Sequence, residues 1–481
     1  MWVVGWSIFR WVLLALILLW ITVAVWNVAK PLPAGLSFEG LFHPTSEIEF
    51  LADLTWVDEA GVRHTDHQIF ARQLSMIAQA EKLIVADLFL FNEFAGDPDG
   101  KGLKPLADQL TEALIRRKAE RPALQIIFIS DPINTLYGGV DSEHLNNLQS
   151  AGVEVVITDL DRLRDSNPLW SATWRLCCRW FGNSDAGGWL PNPVGDGKVS
   201  LRTWLRLANF KANHRKTLVV DHGEQWQALV TSANPHDASS AHGNTALVVT
   251  GTAAFDLIRS ERAIADFSAP TVAWPELSST TSPSASGLTA RVLTEAAIRD
   301  AVIESIDEAG PGDHIDLAMF YLSHRGIIRA LARAHRRGSE VRLLLDPNEH
   351  AFGRRKNGVP NRPVATELSN HGIAVRWCHT TGEQCHSKQL LVRYRDGSAR
   401  LISGSANYTR RNLDNFNLET VLEVRGPKRA DVLRSAAEWF EKRWVNDGGR
   451  SFSLDYAQYA DGSRIRYWQY RVMEASGLST F

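Results

Sequence analysis

The chain has 481 residues, enough for two or three domains, which argues against a small fold held together by its four cysteines. Hydrophobic residues make up 44% and charged residues 22%, as in ordinary globular proteins, so wholesale disorder, collagen and coiled-coil arrays are disfavoured. Fifty-two Lys and Arg nearly balance 54 Asp and Glu, giving a net charge of −2, which argues against a general nucleic-acid coat.

Residues 1–32 predict an N-terminal membrane anchor. The 19 residues from Trp11 to Ala29 carry no charge, and as a helix they span about 28 Å, close to the thickness of a bilayer core. A cleaved signal peptide is the alternative, but the apolar run is long for one and no clean Ala-x-Ala site precedes Lys30. The amino terminus and Arg10 precede the run, which favours a single pass with the body on the outer, periplasmic side.

Helices and strands then alternate in two similar halves. In residues 45–266 the pattern predicts helices near 68–81 and 104–118, and strands over 83–91 and 124–129. In residues 288–445 it predicts helices near 291–309 and 325–337, and strands over 314–321 and 341–345. A Ser, Thr and Pro-rich linker over 267–287 separates the halves, and residues 446–481 are predicted to be a C-terminal tail.

Repeated motifs indicate that the two halves arose by duplication. His214-Arg215-Lys216 is followed by Ser232-Ala233-Asn234, and His386-Ser387-Lys388 by Ser405-Ala406-Asn407. The histidines are 172 residues apart and the asparagines 173, a register that unrelated coincidences would not keep. At the same offset of 173, Asn417 corresponds to Asn244 and Glu419 to Ala246.

The first half carries an insertion near 160–205. The distance from Asp131 to His214 is 83 residues, against 40 from Asp346 to His386. The insertion is rich in tryptophan, interleaved with arginine, at Trp170, Trp174, Trp180, Trp189, Trp204, Arg175, Arg179 and Arg202. This composition fits either a surface that meets a lipid interface or a flap whose tryptophans pack on the core.

The repeated polar residues form an inventory suited to a phosphodiester. In extended strands His214 and Lys216 point to one face, as do His386 and Lys388. If the halves pack face to face, two imidazoles, two ammonium groups and the amides of two asparagines converge. One neutral imidazole can attack phosphorus, the other can protonate the leaving oxygen, and the lysines can neutralise the phosphate. This chemistry requires no metal ion and no cofactor.

The paired signatures resemble those of the phospholipase D superfamily over most of residues 45–445. The first is His214-x-Lys216-x4-Asp221 with Ser232-x-Asn234, and the second is His386-x-Lys388 with Gly404-Ser405-x-Asn407. The resemblance implies an α/β fold of two pseudo-twofold related lobes with mixed sheets flanked by helices. It also implies a phosphohistidine intermediate, attacked by water or an alcohol.

The resemblance also implies roles for individual residues. His214 is the better candidate for the nucleophile and His386 for the general acid, although the reverse assignment stays open. Lys216, Lys388, Asn234 and Asn407 complete the catalytic set, Ser232 and Ser405 are assigned to substrate binding, and Asp221 is structural. Glu419 matches the acid that orients a histidine through Nδ1.

Three positions depart from the family pattern, and the mildest departure is Thr231, which stands where Gly is usual before Ser232. Arg393 stands where the second motif usually has Asp, which puts the local ion pairing of that lobe in doubt. Ala246 stands at the offset that corresponds to Glu419, so only one half retains the orienting acid. We therefore expect one imidazole to be held by Glu419 and the other by an unidentified group.

Two further features have both a functional and an ordinary structural explanation. Arg354 and Arg355 follow the strand that ends at Asp346, and they are expected either at the mouth of the cleft, binding phosphate, or in a solvated basic loop. Cys378 and Cys385 are expected to form a disulfide in an oxidising compartment or to remain buried thiols.

The leading interpretation is a membrane-anchored phosphodiesterase or phosphatidyltransferase acting on glycerophospholipids, of the phospholipase D or cardiolipin synthase type. Its expected partners are a phospholipid, the bilayer and an acceptor, either water or an alcohol. The alternatives are a nuclease of the same superfamily, which the near-neutral charge disfavours, and an inactive lipid-binding member. The sequence predicts no oligomeric state.

Overall fold

The computed structural model describes residues 2–45, 47–94, 103–278, 287–351 and 354–481. Residues 279–286 of the predicted linker lie outside this set. One apolar helix precedes two large mixed β-sheets that are flanked by helices, which confirms the predicted fold class.

The elements up to residue 268 form the N-terminal helix and the first lobe, except that the first short strand joins the sheet of the second lobe. In chain order they are α1 (Trp2–Ala29), β1 (His43–Pro44), β2 (Ile48–Val57), β3 (Arg63–Asp66), α2 (Ile69–Gln79), β4 (Leu83–Leu88), α3 (Leu106–Glu120), β5 (Gln125–Ser130), α4 (Glu143–Ser150), β6 (Glu154–Ile157), α5 (Pro168–Cys177), β7 (Leu190–Pro191), β8 (Lys198–Val199), α6 (Leu201–Leu207), β9 (Lys216–His222), β10 (Gln225–Thr231), β11 (Asn244–Thr250) and α7 (Thr252–Ser268).

The elements from residue 289 onward form the second lobe. They are β12 (Thr289–Thr294), α8 (Glu295–Glu308), β13 (His314–Met319), α9 (Arg325–Arg336), β14 (Glu340–Leu345), β15 (His350–Ala351), β16 (Arg354–Arg355), α10 (Asn361–Asn370), β17 (Ala374–Cys378), β18 (Lys388–Arg393), β19 (Ser398–Gly404), α11 (Arg410–Leu413), β20 (Thr420–Pro427), α12 (Asp431–Val445), β21 (Ser453–Asp455) and α13 (Arg464–Ser476).

The two large sheets repeat one topology. The first has the strand order β3-β2-β11-β10-β9-β4-β5-β6, and the second has the order β1-β12-β20-β19-β18-β13-β14-β17-β21. In each sheet three consecutive neighbours are parallel, β4-β5-β6 and β13-β14-β17, and the histidine-lysine strand runs antiparallel to the first of them. The repeated topology agrees with the duplication inferred from the motifs.

The sheets pack face to face around a shared apolar layer. Val230 and Leu247 of the first sheet and Leu401 and Leu422 of the second are almost completely buried in this layer. Helices cover the outer faces, so the central strands are apolar on both sides, as expected for sheets that are buried on both faces. The opposed sheets bring the segments just before their histidine-lysine strands into contact with the other lobe, through bridges between Asn213 and Leu418 and between Gly243 and Cys385.

Most predicted elements are present, with two differences. The helix expected from residue 291 begins at Glu295, because Thr289–Thr294 pairs with β20 as strand β12. Residues 446–481, expected to be a tail, add β21 to the edge of the second sheet and pack α13 against that lobe. Strand pairing between distant segments decided both differences, and local sequence patterns do not report it.

Helix α1 is long and apolar enough to cross a bilayer. Its segment Trp6–Ala29 has 24 residues and a mean hydropathy of 2.5, against the roughly 20 residues that a bilayer core requires. Pro31 lies two residues beyond the end of the helix and cannot continue it, because proline lacks the backbone N–H that the next turn needs.

Candidate active site

Each motif histidine lies where one lobe meets the other. His214 precedes β9 by two residues, and its backbone N–H donates to Leu418 O of the second lobe at 2.9 Å. His386 precedes β18 in the same way, and its N–H donates to Gly243 O of the first lobe at 2.8 Å. Both side chains are largely buried. Backbone hydrogen bonds between the lobes thus hold both histidines at a single site.

Glu419 of the second lobe orients His214 of the first. Its Oε1 lies 2.8 Å from His214 Nδ1. The carboxylate is fully buried and also accepts hydrogen bonds from Ser405 Oγ, at 2.5 Å, and from the Asn412 amide. A carboxylate at Nδ1 keeps the proton on that nitrogen and leaves the Nε2 lone pair free to attack.

Asn244 takes the corresponding place beside His386. Its Oδ1 lies 3.2 Å from His386 Nδ1, and Ser232 Oγ donates to the same oxygen at 3.1 Å. Asn244 and Glu419 are 175 residues apart, so the constant offset of 173 that aligned Ala246 with Glu419 was wrong by two residues at this point. The unidentified group is therefore a neutral amide, and the two imidazoles have orienting partners of different charge.

The two lysines occupy matching positions. Lys216 Nζ donates to His214 O at 2.7 Å, and Lys388 Nζ donates to His386 O at 2.5 Å. Each ammonium lies 5.0 Å from an aromatic ring centroid, that of Phe89 for Lys216 and that of Phe320 for Lys388. In the described part of the chain neither ammonium is within ion-pair distance of a carboxylate. The buried positive charges thus lack a direct counter-ion.

Burial dominates the electrostatics of the site. It lowers the pKa of His214 well below the ordinary value, and the charges of Lys216 and Lys388 act in the same direction. Burial also lowers the pKa of His386, with Lys388 the next largest cause. It lowers the pKa of Lys216 to about 7 and raises that of Glu419 to about 8. Burial thus disfavours the charged form of each group, because that form loses its hydration. An anion bound between the lysines would restore part of the lost stabilisation of their charges.

Asn234 and Asn407 have amide groups that the protein does not saturate. Both side chains are buried, and the Oδ1 atom of each has no hydrogen-bond partner among the described residues. Buried polar atoms without a partner are rare in folded proteins, and they commonly mark a place that a ligand or water completes. Their amides therefore remain available for a bound group.

Ser232 and Ser405 do not fit the substrate-binding role expected from the sequence. Both are fully buried. Ser232 Oγ donates to Asn244 and accepts from Thr245 N, whereas Ser405 Oγ donates to Glu419 and accepts from Thr420 N. A buried hydroxyl that already donates and accepts has little capacity left for a ligand. The serines instead support the groups that orient the histidines.

The basic loop is less closely tied to the site. Arg355 is 80% exposed and pairs with Glu349 at 3.0 Å. None of its described contacts joins it to an imidazole. This arrangement matches the solvated-loop alternative better than a place in the cleft. The side chain of Arg354 lies outside the described residues.

Asp221 and Arg393 support their sheets in different ways. The Asp221 carboxylate accepts from three successive backbone N–H groups, those of Glu81, Lys82 and Leu83, where β4 begins. Arg393, at the position where the family usually has Asp, instead donates to Asp316 Oδ2 at 2.8 Å. The ion pairing that the sequence left in doubt is thus supplied by Asp316.

Two buried aspartates position the segments that carry the motifs. The sequence alone had identified them only as the ends of strands. Asp131 Oδ2 accepts from Asn213 N at 2.6 Å, and Asp346 Oδ2 accepts from Cys385 N at 2.8 Å. Burial raises the pKa of each aspartate to about 7. Their repeated position in the two Asp-Pro sequences was a signal that could have identified them.

The cysteines are paired in the structure. Cys378 and Cys385 form a disulfide, so the residue that precedes His386 is tied to the end of β17. Cys177 and Cys178, at the end of α5, are also joined. Of the two alternatives for Cys378 and Cys385, the structure has the disulfide.

Comparisons with known proteins agree with this architecture. Residues 302–444 match the family described as "Cardiolipin synthase, PLD-like domain", whereas no curated protein is significantly similar to the chain. Among solved structures, phosphatidylserine synthase from Haemophilus influenzae Rd KW20 is similar with a TM-score of 0.53 at 10% identity, over 95% of this chain and 97% of that one.

Two further structures are more distant. Polyphosphate kinase from Porphyromonas gingivalis has a TM-score of 0.46 at 14% identity, over 90% of this chain and 53% of that one. The phospholipase D family member Nuc from Salmonella typhimurium has a TM-score of 0.27 at 21% identity, over 35% of this chain and 98% of that one. The second lobe thus matches a PLD-like family over residues 302–444, and the chain as a whole shares the two-lobed fold of the synthase.

Proposed function

We propose that the protein is a membrane-anchored enzyme that cleaves or transfers the phosphodiester of glycerophospholipids through a phosphohistidine intermediate. The observation that supports this most is the contact of 2.8 Å between His214 Nδ1 and Glu419 Oε1, beside the buried Lys216 and Lys388. It combines an oriented nucleophile with two cations that lack a direct counter-ion. A phosphodiester anion is the kind of ligand that this combination favours.

In the first step His214 Nε2 attacks phosphorus, and the bond from phosphorus to the leaving alcohol oxygen breaks. The imidazole ring becomes positively charged while its Nδ1 proton stays on the ring, facing Glu419. His386, in its protonated form, donates a proton to the leaving oxygen, so a neutral alcohol departs. The lysines offset the negative charge that develops on the nonbridging oxygens.

In the second step an acceptor hydroxyl attacks the phosphohistidine. Neutral His386 removes the proton from that hydroxyl, and the bond from phosphorus to His214 breaks. Water as acceptor gives hydrolysis, and an alcohol gives phosphatidyl transfer. Both outcomes use the same residues, so the site geometry supports the shared chemistry and not one product.

The different partners of the histidines support their assignment. Glu419, in its ionised form, can balance the positive charge that phosphorylation places on the ring of His214, and that positive charge in turn favours the ionised form. Asn244 cannot balance charge on His386, so His386 should release its proton more readily, which suits a general acid. A bound phosphate anion offsets the charges of Lys388 and Lys216 that depress the pKa of His386, and thereby helps to protonate it.

The lipid part of the proposal rests on the apolar helix and on the proteins to which the chain is similar. Segment Trp6–Ala29 is long enough to fix the site at a bilayer. The matched family is described by cardiolipin synthase, and the structure of similar fold is a phosphatidylserine synthase. The amino terminus and Arg10 before the apolar run favour a body on the outer side of the membrane.

Product analysis by mass spectrometry tests this function. Detergent-solubilised protein is incubated with phosphatidylglycerol, phosphatidylethanolamine and glycerol, beside the His214→Ala variant. Phosphatidic acid alone indicates hydrolysis, and cardiolipin or an exchanged headgroup indicates transfer. Absence of any lipid product that depends on His214 would refute the proposal and favour the nuclease or the inactive binder.

A second variant separates the roles of the two histidines. His386→Ala should retain slow turnover of a p-nitrophenyl phosphodiester, because p-nitrophenolate leaves without acid assistance, whereas His214→Ala should not. Burst kinetics of p-nitrophenol release provide the measurement. The opposite pattern would reverse the assignment of nucleophile and acid.

A further inference from the structure

Helix α5 of the tryptophan-rich insertion runs beside the C-terminal part of α1. Asp165 N donates to Asn27 O at 2.9 Å, and Trp20 Nε1 donates to Thr173 Oγ1 at 3.0 Å. As the chain advances from Asp165 to Thr173, its partner on α1 moves back from Asn27 to Trp20. The two helices are therefore antiparallel, and α5 points along α1 toward the middle of the apolar segment.

The contact between Trp20 and Thr173 lies at a point along α1 that would be inside the bilayer if α1 spans it. Helix α5 would then lie beside lipid. The apolar segment Trp6–Ala29 has 24 residues, and a bilayer core takes up roughly 20 of them. Every placement of such a core within the segment includes Trp20. Thr173 contacts Trp20, and α5 continues beyond Thr173 to Cys177. The C-terminal end of α5 thus reaches the depth of the hydrocarbon or its boundary.

Large apolar side chains dominate the exposed surface at the end of α5, whereas Asp185, further along the following loop, is exposed and charged. Leu176, Trp180, Phe181 and Trp189 are between 39% and 70% exposed. Trp174, in contrast, is buried, so the insertion combines the inward-packing flap and the outward apolar surface that the sequence left as alternatives. A cluster of large exposed side chains next to an apolar helix is unusual on a surface that faces only water.

The charges of this region are arranged to suit a lipid surface. Arg175, the one charged side chain within α5, turns inward and forms two hydrogen bonds with Asp165, at 2.7 and 2.9 Å. Lys211 completes this buried cluster at 2.5 Å from Asp165. Arg179, after the helix, lies with its guanidinium 4.6 Å from the centroid of Trp180. A long cationic side chain beside an aromatic ring is well suited to the headgroup boundary.

We propose that the end of α5 and the residues that follow it, 176–181, dip into the lipid leaflet beside α1. This inference rests on the proposed membrane anchorage. The occupant of the apolar surface is the acyl chain and headgroup region of the leaflet, because the surface is continuous with the helix that would span it. Docking of a second copy or of another protein is a competing outcome that the experiment detects.

The inserted surface is directly connected to the catalytic segment. Ser171 Oγ of α5 donates to Asn209 Oδ1 at 2.8 Å, and Lys211, three residues before His214, is held by Asp165. Asn183 Nδ2 also donates to Tyr137 O at 3.2 Å, in the chain that follows Asp131. Insertion of the end of α5 would thus hold the segment that carries His214 near the surface of the leaflet.

Photo-cross-linking in the full-length protein tests this inference. A benzophenone amino acid replaces Leu176 or Phe181 in separate samples, and the protein is reconstituted in vesicles of phosphatidylethanolamine and phosphatidylglycerol. The same replacement at Leu14 of α1 is the positive control. Val62 is the matched negative control, because it is 52% exposed but lies in the hairpin between β2 and β3, among charged residues.

Peptide mass spectrometry after irradiation should find lipid adducts at positions 176 and 181 in yields comparable to position 14, and none above background at position 62. Adducts at position 14 without adducts at 176 and 181 would overturn the insertion of α5 while leaving the anchor intact. Adducts at none of the positions would overturn both. Cross-links from 176 or 181 to protein instead of lipid would overturn the insertion in favour of a protein interface.

An activity measurement provides an independent check. Phe181→Asp changes an exposed residue and should not disturb folding, but it places a charge against the leaflet. Turnover of vesicle phospholipid should fall roughly tenfold or more, whereas turnover of a short-chain, water-soluble phosphatidylcholine should be unchanged. Val62→Asp should alter neither. Equal turnover of vesicles by Phe181→Asp and the unmodified protein would contradict the inference.

Discussion

The contact between Glu419 and His214 allows a test of the proposed mechanism through charge alone. In a Glu419→Gln variant the amide oxygen can keep its place at His214 Nδ1, and the new NH2 group can donate to Ser405 Oγ. The Ser405 hydroxyl can then turn to Thr420 O, which is already 3.2 Å away. Every hydrogen bond thus has a substitute, and the main change is the loss of the negative charge opposite the imidazole.

The expected loss follows from the strength of the two kinds of hydrogen bond. Bonds that involve a charged group contribute about 1–2 kcal/mol more than neutral ones, and that difference corresponds to roughly a five- to thirtyfold change in rate. Because the positive charge on His214 appears only as phosphorus is attacked, the loss should fall on kcat of the first step and leave KM nearly unchanged.

The assay is the pre-steady-state burst of p-nitrophenol from a p-nitrophenyl phosphodiester, whose leaving group needs no acid. Glu423→Gln is the matched control, since Glu423 lies on β20, is fully buried and pairs with Arg291 and not with a histidine. A burst rate of Glu419→Gln within about twofold of the unmodified protein would refute the role of the Glu419 charge.

The pH profile, the stability of the first lobe and one surface pair can be tested directly. Burial and the lysine charges lower the pKa of both His214 and His386 below 6.5. At pH 6.5 His214 is therefore already neutral, as a nucleophile must be. His386, in contrast, is protonated only at lower pH. Glu419, whose pKa burial raises to about 8, must be ionised to orient neutral His214, whereas His386 must be protonated. The kcat/KM profile, which reports the free enzyme, should therefore be bell-shaped with its maximum between these two pKa values, below about pH 7.5, and a maximum above that pH would contradict the assignment. Asp221→Ala removes the acceptor of three backbone N–H groups. In a urea titration the variant should have a free energy of unfolding lower by about 2–3 kcal/mol. No measurable loss would show that water replaces the carboxylate. Arg355→Ala breaks an exposed ion pair with Glu349. In the same titration the free energy of unfolding should fall by at most about 1 kcal/mol, and lipid turnover should be unchanged. A large drop in turnover would indicate that Arg355 contacts the substrate.

Local sequence patterns predicted the parts of the fold that depend on nearby residues. Helix α9 was predicted over 325–337 and forms over Arg325–Arg336, because Ile327, Ile328 and Leu331 recur at helical spacing and become buried on one face. Strand β14 was predicted in the same way from a short apolar run that ends at Asp346. The helix expected over 291–309 begins only at Glu295, because the residues before it pair with β20, a segment more than a hundred residues away.

The orienting groups show why the candidate site could be predicted only in part. The motif residues keep offsets of 172 and 173, but the loop before the next strand differs by two residues between the lobes, so Asn244 and not Ala246 corresponds to Glu419. Loop lengths vary freely, whereas the backbone hydrogen bonds of a sheet force particular residues to lie opposite each other. A fixed sequence offset cannot follow such a change.

The sequence by itself determined the duplication, the paired histidines and lysines, and an apolar segment long enough to span a bilayer, because each is a property of residue type and spacing. Only the tertiary structure decided which lobe orients which histidine, since Glu419 and His214 are 205 residues apart. It also decided that the serines lie behind the site and that α5 lies along α1. These relations arise from packing one lobe or helix against another, and no local pattern in the chain encodes them.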